Sequence, residues 1–321
     1  MKMNIDRIIQ AALRQRATDV YLTPVGNEYG LRFNVCGRIV ENQSIGADEA
    51  RRMINLLKYR ANMALGERRR PQLGALTIRI DDVPVFCRLS TVGDFRDRET
   101  LVIRVITRLR GALESRYFLP SQLTRIRHAC RQRGLVLFTG PMGAGKTSAM
   151  YDFAREFATR QVFCIEDPVE IYEPRFVQVQ VNEAAGMTYA QLLKLALRHH
   201  PEVFIIGEIR DEETAQVALN AALSGHLVLS TLHVRSAAGT PARLRNLGLR
   251  DADITLALRL ACYQRLIPTT THDLKVLFDF YDGSDGRGYQ EDDSAKWQSE
   301  LARCVAKKLV SPAVAAEFRY G

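Results

Sequence analysis

A glycine-rich loop that ends in lysine and threonine is the strongest chemical signal in this sequence. Residues 140–147 read G-x-x-x-x-G-K-T, between an apolar run at 135–138 and a stretch in which apolar residues recur at helical spacing. Glycines let the backbone turn so that its N–H groups point at phosphate oxygens, and the start of the following helix adds positive charge. We therefore predict a nucleotide phosphate site in which Lys146 binds phosphate oxygens and the Thr147 hydroxyl binds Mg²⁺.

The alternative for this loop is a glycine-rich turn that carries a surface lysine. The apolar run before the loop suits a buried strand of a parallel sheet, and phosphate binding needs the order strand, loop and helix, so we favour the phosphate site. The residues that we assign to nucleotide binding are Gly140, Pro141, Met142, Gly143, Ala144, Gly145, Lys146, Thr147 and Ser148.

Two further apolar runs end in carboxylates, which could supply the metal ligand and the water-orienting group that nucleotide hydrolysis needs. Residues 203–207 are followed by Glu208, and residues 163–165 are followed by Glu166 and Asp167. A carboxylate at a strand end beside a nucleotide can support a metal ion or polarise the attacking water. Two alternatives stay open: Glu208 could cap the next helix, and Glu166 could belong to an ordinary strand-to-turn junction.

Histidine and arginine side chains complete the set of candidates. His226 and His233 flank the apolar run 227–231, where they could sense the γ-phosphate or fix a carboxylate. Arg88 and Arg104 lie on predicted strands of the first part of the chain, and a planar guanidinium suits phosphate charge. On pattern alone a lone histidine is more often structural, and the two arginines fit equally well as surface charges.

Composition and charge restrict the class of protein. With 321 residues, 46% of them hydrophobic, the chain can build about two domains with substantial cores. The net charge of +9 favours an acidic partner such as a nucleotide, nucleic acid or an anionic membrane, although a solvated basic surface explains it equally well. No apolar run reaches the ~18 residues of a membrane span, and the amino terminus lacks a signal-peptide core, so we expect a cytoplasmic protein.

The six cysteines are scattered without a C-x-x-C motif, so we expect no structural zinc and no disulfide framework.

The order of the apolar patterns divides the chain into an α+β part and an α/β part. Residues 1–106 combine two helical stretches with a run of short strands, which predicts a compact α+β domain. Residues 107–118 are a mixed, polar linker. In residues 119–270 strands alternate with helices, which is typical of a parallel sheet with helices on both faces. The sheet pattern ends after Pro268, and residues 271–321 are predicted to form a small helical region.

Taken together, the motifs resemble the ATPase superfamily of type II secretion and type IV pilus assembly, the GspE/PilB-like proteins. The resemblance covers about residues 17–265, and ordered motifs at family spacing are more specific than any one motif. GPMGAGKT resembles the Walker A motif of that family, IEDPVE at 165–170 its Asp box, IIGEIRD at 205–211 its Walker B motif, GHLVLSTLH at 225–233 its His box, and QRL at 264–266 its region after the core. The short chain and GERRRPQLGAL at 66–76 resemble the late competence ATPases of the ComGA type.

The resemblance implies a fold and a set of roles. The fold is α/β, a RecA-like P-loop ATPase core with a parallel-dominated sheet, preceded by a smaller α+β domain that is PAS-like. The implied ligands are ATP and Mg²⁺, with the metal ion held by Thr147 and, in part through water, by Glu208. Glu166 would activate the attacking water, and arginines would neutralise phosphate charge. The implied catalytic set is Glu166, Glu208, Lys146, Arg88, Arg104, Arg210, His226 and His233.

The resemblance also implies partners. The family works as a homo-hexamer at the cytoplasmic face of the cell membrane, where it acts on an inner-membrane platform protein of the ComGB/GspF type, and no direct DNA binding is required. The implied function is ATP-driven assembly of a competence pseudopilus for DNA uptake. Met142 and Ser148 stand where the family usually has threonine, and the spacing from Arg88 to Arg104 is one residue longer than usual.

Three other functions stay open on the sequence. Another motor of the same superfamily, for type II secretion, pilus retraction or conjugation, would share every motif, although the Ala-Ile-Arg helix of retraction ATPases is not found. A nucleic-acid binder without motor activity would use the basic surface and show steep salt dependence. A small-molecule kinase would use the same loop but would leave the first domain and the His box unexplained.

Overall fold

The computed structural model describes residues 5–35, 38–106, 113–271, 273–283 and 294–321. The chain divides into two compact units, Met1–Arg108 and Leu109–Gly321, each built around its own sheet. Residues 107–112, the first half of the predicted linker, lie outside the described residues. Within the described ranges no helix is long and apolar enough to cross a membrane.

The first unit is a six-stranded antiparallel sheet whose core face is covered by two helices. The strand order is β3-β2-β1-β6-β5-β4. Side chains alternate along the strands, so that Cys87 and Leu89 of β5 join the core while Arg88 lies on the other face. The elements are α1 (Ile5–Arg14), β1 (Ala17–Val25), β2 (Glu28–Val35), β3 (Arg38–Gly46), α2 (Ala47–Arg60), β4 (Gln72–Ile80), β5 (Val83–Gly93) and β6 (Glu99–Ile106).

The second unit is a seven-stranded sheet in the order β13-β12-β7-β11-β10-β8-β9. Every neighbouring pair is parallel except β12 and β13, so the predicted α/β core with a parallel-dominated sheet is present. Its elements are α3 (Pro120–Cys130), β7 (Gly134–Thr139), α4 (Lys146–Ala154), β8 (Val162–Glu166), β9 (Val177–Gln180), α5 (Tyr189–Leu197), β10 (Val203–Glu208), α6 (Glu212–Leu223), β11 (Leu227–Leu232), α7 (Thr240–Asn246), α8 (Asp251–Ala257), β12 (Leu258–Pro268), β13 (Leu274–Asp282), α9 (Ser294–Ala306) and α10 (Pro312–Glu317).

Both faces of the second sheet are buried, which explains why its central strands are continuous apolar runs. Leu135 and Leu137 of β7 belong to a core shared with α5 and α6, whereas Val136 and Phe138 belong to a second core shared with α3 and α4. The sheet is therefore a rigid layer between helices, and its carboxyl edge is where loops can present chemistry.

The sheet continues beyond the point at which the sequence pattern predicts its end. After β12 ends at Pro268, the chain returns as the antiparallel strand β13, with Pro268 opposite Leu274 and Leu260 opposite Asp282. The predicted helical region 271–321 therefore begins with a strand, and its helices α9 and α10 follow. Polar side chains such as Asp279 interrupt the apolar run of β13, which weakens its strand signal.

The described cysteines are free thiols and all are buried: Cys87, Cys130, Cys164, Cys262 and Cys304. Burial raises the pKa of Cys87 to about 12 and that of Cys304 to about 11. These thiols stay protonated at neutral pH and act as small apolar side chains. Cys36 lies outside the described residues.

Candidate active site

The carboxyl ends of neighbouring parallel strands bring most of the predicted site residues to one edge of the second sheet. The phosphate loop follows β7, and His233 follows β11, whose last residue Leu232 pairs with Thr139 of β7. Glu208 ends β10 and Glu166 ends β8. Because the strand order is β7-β11-β10-β8, the loop, the histidine and the two carboxylates follow one another along this edge.

The phosphate loop has the backbone conformation that its glycines predict. Gly140, Gly143 and Gly145 have φ angles of 139°, 76° and 79°, a region that favours glycine. A Cβ atom on Gly140 would lie 2.5 Å from the carbonyl oxygen of Gln264, whereas nothing lies within 4 Å of a Cβ atom on Gly143. The loop is therefore closely supported from β12 on one side and open at its tip, where Met142 is 87% exposed.

Gln264 supports the loop with its side chain as well, a contact that was not predicted from the sequence. Its Nε2 atom donates a hydrogen bond to the carbonyl oxygen of Ala144 at 2.7 Å, and the residue is fully buried. Its Oε1 atom has no hydrogen-bond partner among the described residues. The family-like QRL segment was the signal that could have pointed to this contact, because it places a polar amide in the buried stretch of β12.

A chain of polar contacts joins the phosphate lysine to a carboxylate. Nζ of Lys146 donates to the carbonyl oxygen of Pro141 at 2.8 Å and lies 3.4 Å from Nδ1 of His233. Nε2 of His233 lies 3.2 Å from Oε1 of Glu208. An ammonium group can only donate, so Nδ1 accepts and the Nε2–H group donates to Glu208. Burial lowers the pKa of Lys146, and the carboxylates of Glu208 and Glu170 raise it.

Glu166 is the most deeply buried carboxylate of this edge, with 1% of its surface exposed. Burial raises its pKa to about 7, while hydrogen bonds from Tyr151 and Gln178 lower it. Tyr151 Oη donates to Oε1 of Glu166 at 2.5 Å. A carboxylate with a pKa near neutrality is matched to the task of a general base.

Arg210 lies at the same edge but is held by acidic side chains. Its Nη2 atom lies 3.0 Å from Oδ2 of Asp167, and its Nε atom donates to Oδ2 of Asp211 at 3.3 Å. Asp211 also begins α6, because its Oδ1 atom accepts the backbone N–H of Thr214 at 2.9 Å. The guanidinium therefore links the end of β8 to the start of α6.

The structure does not bring His226 to this edge. His226 precedes β11, where its carbonyl oxygen accepts the N–H of Gly134 at 2.9 Å and its ring lies edge-on to Phe204 at 5.0 Å. His233 comes seven positions after it, across the six residues of β11, so the two histidines lie about 23 Å apart at ~3.3 Å per residue. We therefore remove His226 from the candidate site, because ligands bind at the carboxyl ends of parallel strands and this histidine lies at the amino end.

Arg88 and Arg104 lie in the first unit, directly opposite each other on β5 and β6. Nε of Arg104 donates to Oδ1 of Asp19 at 2.8 Å, and the Asp19 carboxylate is buried. The Asp19 carboxylate offsets the charge of Arg104, which reduces the repulsion between the two like charges on adjacent strands.

The residues of the phosphate loop fit a magnesium ion bound together with nucleotide phosphates. Thr147 offers a hydroxyl oxygen in the first turn of α4, and Glu208 offers a half-exposed carboxylate at the end of β10. In the described part of the chain no three His, Cys, Asp or Glu side chains form a group that could hold a metal ion. Mg²⁺ in nucleotide sites needs only one or two protein oxygens, because phosphates and waters complete its shell.

Comparison with known proteins identifies the family of this chain. The family model described as type II/IV secretion system protein matches residues 1–309. The chain belongs to this family. It is 39% identical over 295 residues to the competence protein ComGA of Streptococcus pneumoniae. The aligned residues make up 92% of this chain and 90% of that protein. Identity to ComGA of Bacillus subtilis is 36% over 268 residues, or 81% of this chain and 74% of that protein.

A solved structure supports the fold of this secretion-family protein. The Legionella pneumophila ATPase DotB matches with a TM-score of 0.80 at 23% identity, over 98% of this chain and 94% of that one. The family and the fold class predicted from the sequence are confirmed.

Proposed function

We propose that this member of the type II/IV secretion family is an ATPase, and that it is the motor of a competence pseudopilus that takes up DNA. The observation that carries the enzymatic part is the polar chain from Lys146 through His233 to Glu208 at the carboxyl edge of the sheet. The names of the ComGA relatives support the biological part.

In this proposal the phosphate loop and Lys146 bind the β- and γ-phosphates. An arriving phosphate competes with Pro141 and His233 for the Lys146 ammonium, which then donates to phosphate oxygens. Thr147 and Glu208 would hold Mg²⁺, in part through water, and the metal ion would neutralise phosphate charge. His233 keeps its Nε2–H group on Glu208 and so holds that carboxylate in place beside the bound phosphates.

Glu166 is the general base of the proposed reaction. Its burial keeps bulk water away, and its pKa near 7 lets it accept a proton from the attacking water at neutral pH. Gly207 lies against it so closely that a Cβ atom there would be 3.1 Å from Cγ of Glu166. The strand end of β10 thus fixes the position of the carboxylate.

The assembled motor requires more than one copy of the chain. We propose a homo-hexamer, peripheral at the cytoplasmic face of the membrane, in which Arg88 and Arg104 neutralise phosphate charge, with Arg210 as a third cation. The partner is a membrane platform protein, and DNA itself need not bind. We assign residues 1–106 to an amino-terminal domain and the unit that begins at Leu109 to the ATPase core. That core includes Tyr117 and Phe118 from the predicted linker 107–118 and strand β13 from the predicted carboxyl-terminal region 271–321.

The test is phosphate release from ATP per subunit, measured across a range of protein concentrations. Lys146→Ala is the blank, and Lys194→Ala, an exposed lysine on α5, is the matched control. A rate that rises with concentration and is lost only in Lys146→Ala supports a site completed by neighbouring subunits. A rate that is independent of concentration in a particle shown by sizing to be a monomer would contradict the ring motor, and equal rates for both variants would contradict the site.

A further inference from the structure

Tyr151 connects the phosphate-binding helix to the proposed general base. It lies on α4, five positions after Lys146, and its side chain is fully buried. Its Oη atom donates to Oε1 of Glu166 at 2.5 Å, at the end of β8. The strands β11 and β10 lie between β7 and β8, so this one side chain reaches from the helix of the phosphate loop to a distant strand of the sheet.

A second hydrogen bond fixes the direction in which the tyrosine hydroxyl donates. Nε2 of Gln178 on β9 donates to Oη of Tyr151 at 2.7 Å and to the carbonyl oxygen of Ile171 at 2.7 Å. Oε1 of Gln178 accepts the backbone N–H of Glu173 at 2.9 Å, so the amide orientation is determined. Because Oη already accepts from the amide, its own hydrogen is directed at the carboxylate.

The tyrosine remains a donor throughout the physiological range. Burial, together with Cys164 and Glu166, raises its pKa, so the hydroxyl stays protonated. The titratable groups around Glu166 are Tyr151 on α4, Cys164 on β8, Asp167, Glu170 and Glu173 after β8, Tyr189 on α5, and Glu208 and Arg210 at and after the end of β10. Only the tyrosine of α4 belongs to the helix that carries the phosphate lysine.

We propose that Tyr151 is a positioning residue that orients the Glu166 carboxylate by a hydrogen bond from the phosphate-binding helix. The inference rests on the proposed role of Glu166 as general base. The hydroxyl of Tyr151 binds one Glu166 oxygen, and the carboxylate also accepts hydrogen bonds from Gln178 and from the backbone N–H of Glu170, so its orientation is fixed. Helix α4 carries both the phosphate lysine and the hydroxyl that orients the general base. The position of the base relative to the bound phosphates is therefore set by one helix.

A purely structural role for Tyr151 has to be separated from the proposed role of its hydroxyl. Its ring packs against Phe176 at 6.0 Å between centroids, so removal of the ring would damage the core in any case. Tyr151→Phe keeps the ring and removes only the hydroxyl. Tyr29→Phe, a buried tyrosine of the first unit, is the control for the general effect of that change.

The test is a double-mutant comparison of ATP hydrolysis with Tyr151→Phe, Glu166→Gln and the double variant. We expect Tyr151→Phe to lower kcat about tenfold or more at pH 7 with KM changed less than about twofold, because a misplaced catalytic group costs rate rather than binding. The pH at which its rate is half-maximal should move upward, since the lost hydrogen bond favoured the ionised carboxylate. The double variant should be no slower than Glu166→Gln, because the tyrosine acts only through that carboxylate.

The outcomes separate this inference from the proposed function. Normal turnover in Glu166→Gln would overturn the role of Glu166 itself. Impaired Glu166→Gln with normal Tyr151→Phe, or a Tyr151 loss that persists in the double variant, would overturn only the positioning role. If Tyr151→Phe does not fold, fluorotyrosine at position 151 keeps the ring and strengthens the hydroxyl as a donor. The pH of half-maximal rate should then move downward, and a pH that does not move would also overturn the positioning role.

Discussion

Nζ of Lys146 lies 3.4 Å from Nδ1 of His233, although the two residues are 87 positions apart in the chain. The contact exists because parallel strands β7 and β11 are neighbours and both end at the same edge of the sheet. It places a histidine with a defined hydrogen-bonding direction between the phosphate lysine and the Glu208 carboxylate. The chemistry of the site therefore depends on strand order as much as on the phosphate loop.

The two histidines that flank β11 provide a matched pair for mutagenesis. We expect His233→Ala to lower ATP turnover about tenfold or more, because it breaks the link between Lys146 and Glu208. His226→Ala should retain turnover within about twofold, since its ring contacts Phe204 at the opposite edge. The measurement is the initial rate of ATP hydrolysis at saturating ATP for each variant. Equal losses of rate in both variants would contradict the assignment of His233 to the site.

Glu208→Gln should separate nucleotide binding from hydrolysis. The amide keeps the shape of the carboxylate but lacks its charge, so Mg²⁺ is held more weakly while the loop and Lys146 are intact. We expect ATP binding within about threefold of the unmodified protein, hydrolysis lowered about a hundredfold, and a higher Mg²⁺ concentration for half-maximal rate. Glu213→Gln on the surface of α6 is the control, and normal turnover in Glu208→Gln would remove Glu208 from the catalytic set.

The pH dependence of turnover should report Glu166. A general base must be ionised to accept a proton, so the rate is expected to rise as pH passes through about 7 and then level off. The same burial affects stability. The ordinary pKa of 4.5 is raised in the folded state, so the cost of the buried charge is absent below pH 4.5, grows as pH rises, and is complete above about 7.

Glu166→Gln removes that cost, so its stability advantage over the unmodified protein should grow between pH 4.5 and 7 to about 3 kcal/mol. Urea unfolding at pH 4.5 and pH 8 measures the difference. An advantage that is equal at both values would show that Glu166 does not titrate in this window.

The glycines of the phosphate loop should differ in how they tolerate alanine. Gly140 combines a φ angle of 139° with a position where a Cβ atom would lie 2.5 Å from a backbone oxygen, so Gly140→Ala should destabilise the second unit by about 2–3 kcal/mol. Gly143 has a φ angle of 76° but open space around it, so Gly143→Ala should cost only about 1 kcal/mol. Thermal unfolding of both variants shows which substitution is more destabilising. A larger loss of stability in Gly143→Ala than in Gly140→Ala would contradict the loop geometry.

Most of the second unit could be predicted from the sequence because its central strands are buried on both faces. Their apolar runs are continuous, and a polar residue at the carboxyl edge of the sheet ends the run, as Glu166 and Glu208 do. Strand β3 could not be predicted, because all but one of its residues are exposed and no alternation of apolar residues marks it. Strand β13 lies at the edge of its sheet, where a single pairing partner tolerates polar residues such as Asp279.

The candidate site was predictable to the extent that strand ends identify it. His233 and His226 are equal in the sequence pattern, and only the rule that ligands bind at carboxyl ends distinguishes them. Gln264 and Tyr151 could not be found in this way, because each reaches the site through side-chain packing between elements that are distant in sequence. Such contacts depend on register and helix placement, which a local pattern does not contain.

Burial of the described thiols makes the protein a favourable subject for site-specific labelling. Cys87, Cys130, Cys164, Cys262 and Cys304 are buried, so maleimide reagents should react with them slowly. With Cys36 replaced by serine, a single cysteine introduced in place of the exposed Met142 would be the preferred target. A fluorophore at that position, at the tip of the phosphate loop, would report the arrival and departure of nucleotide in real time.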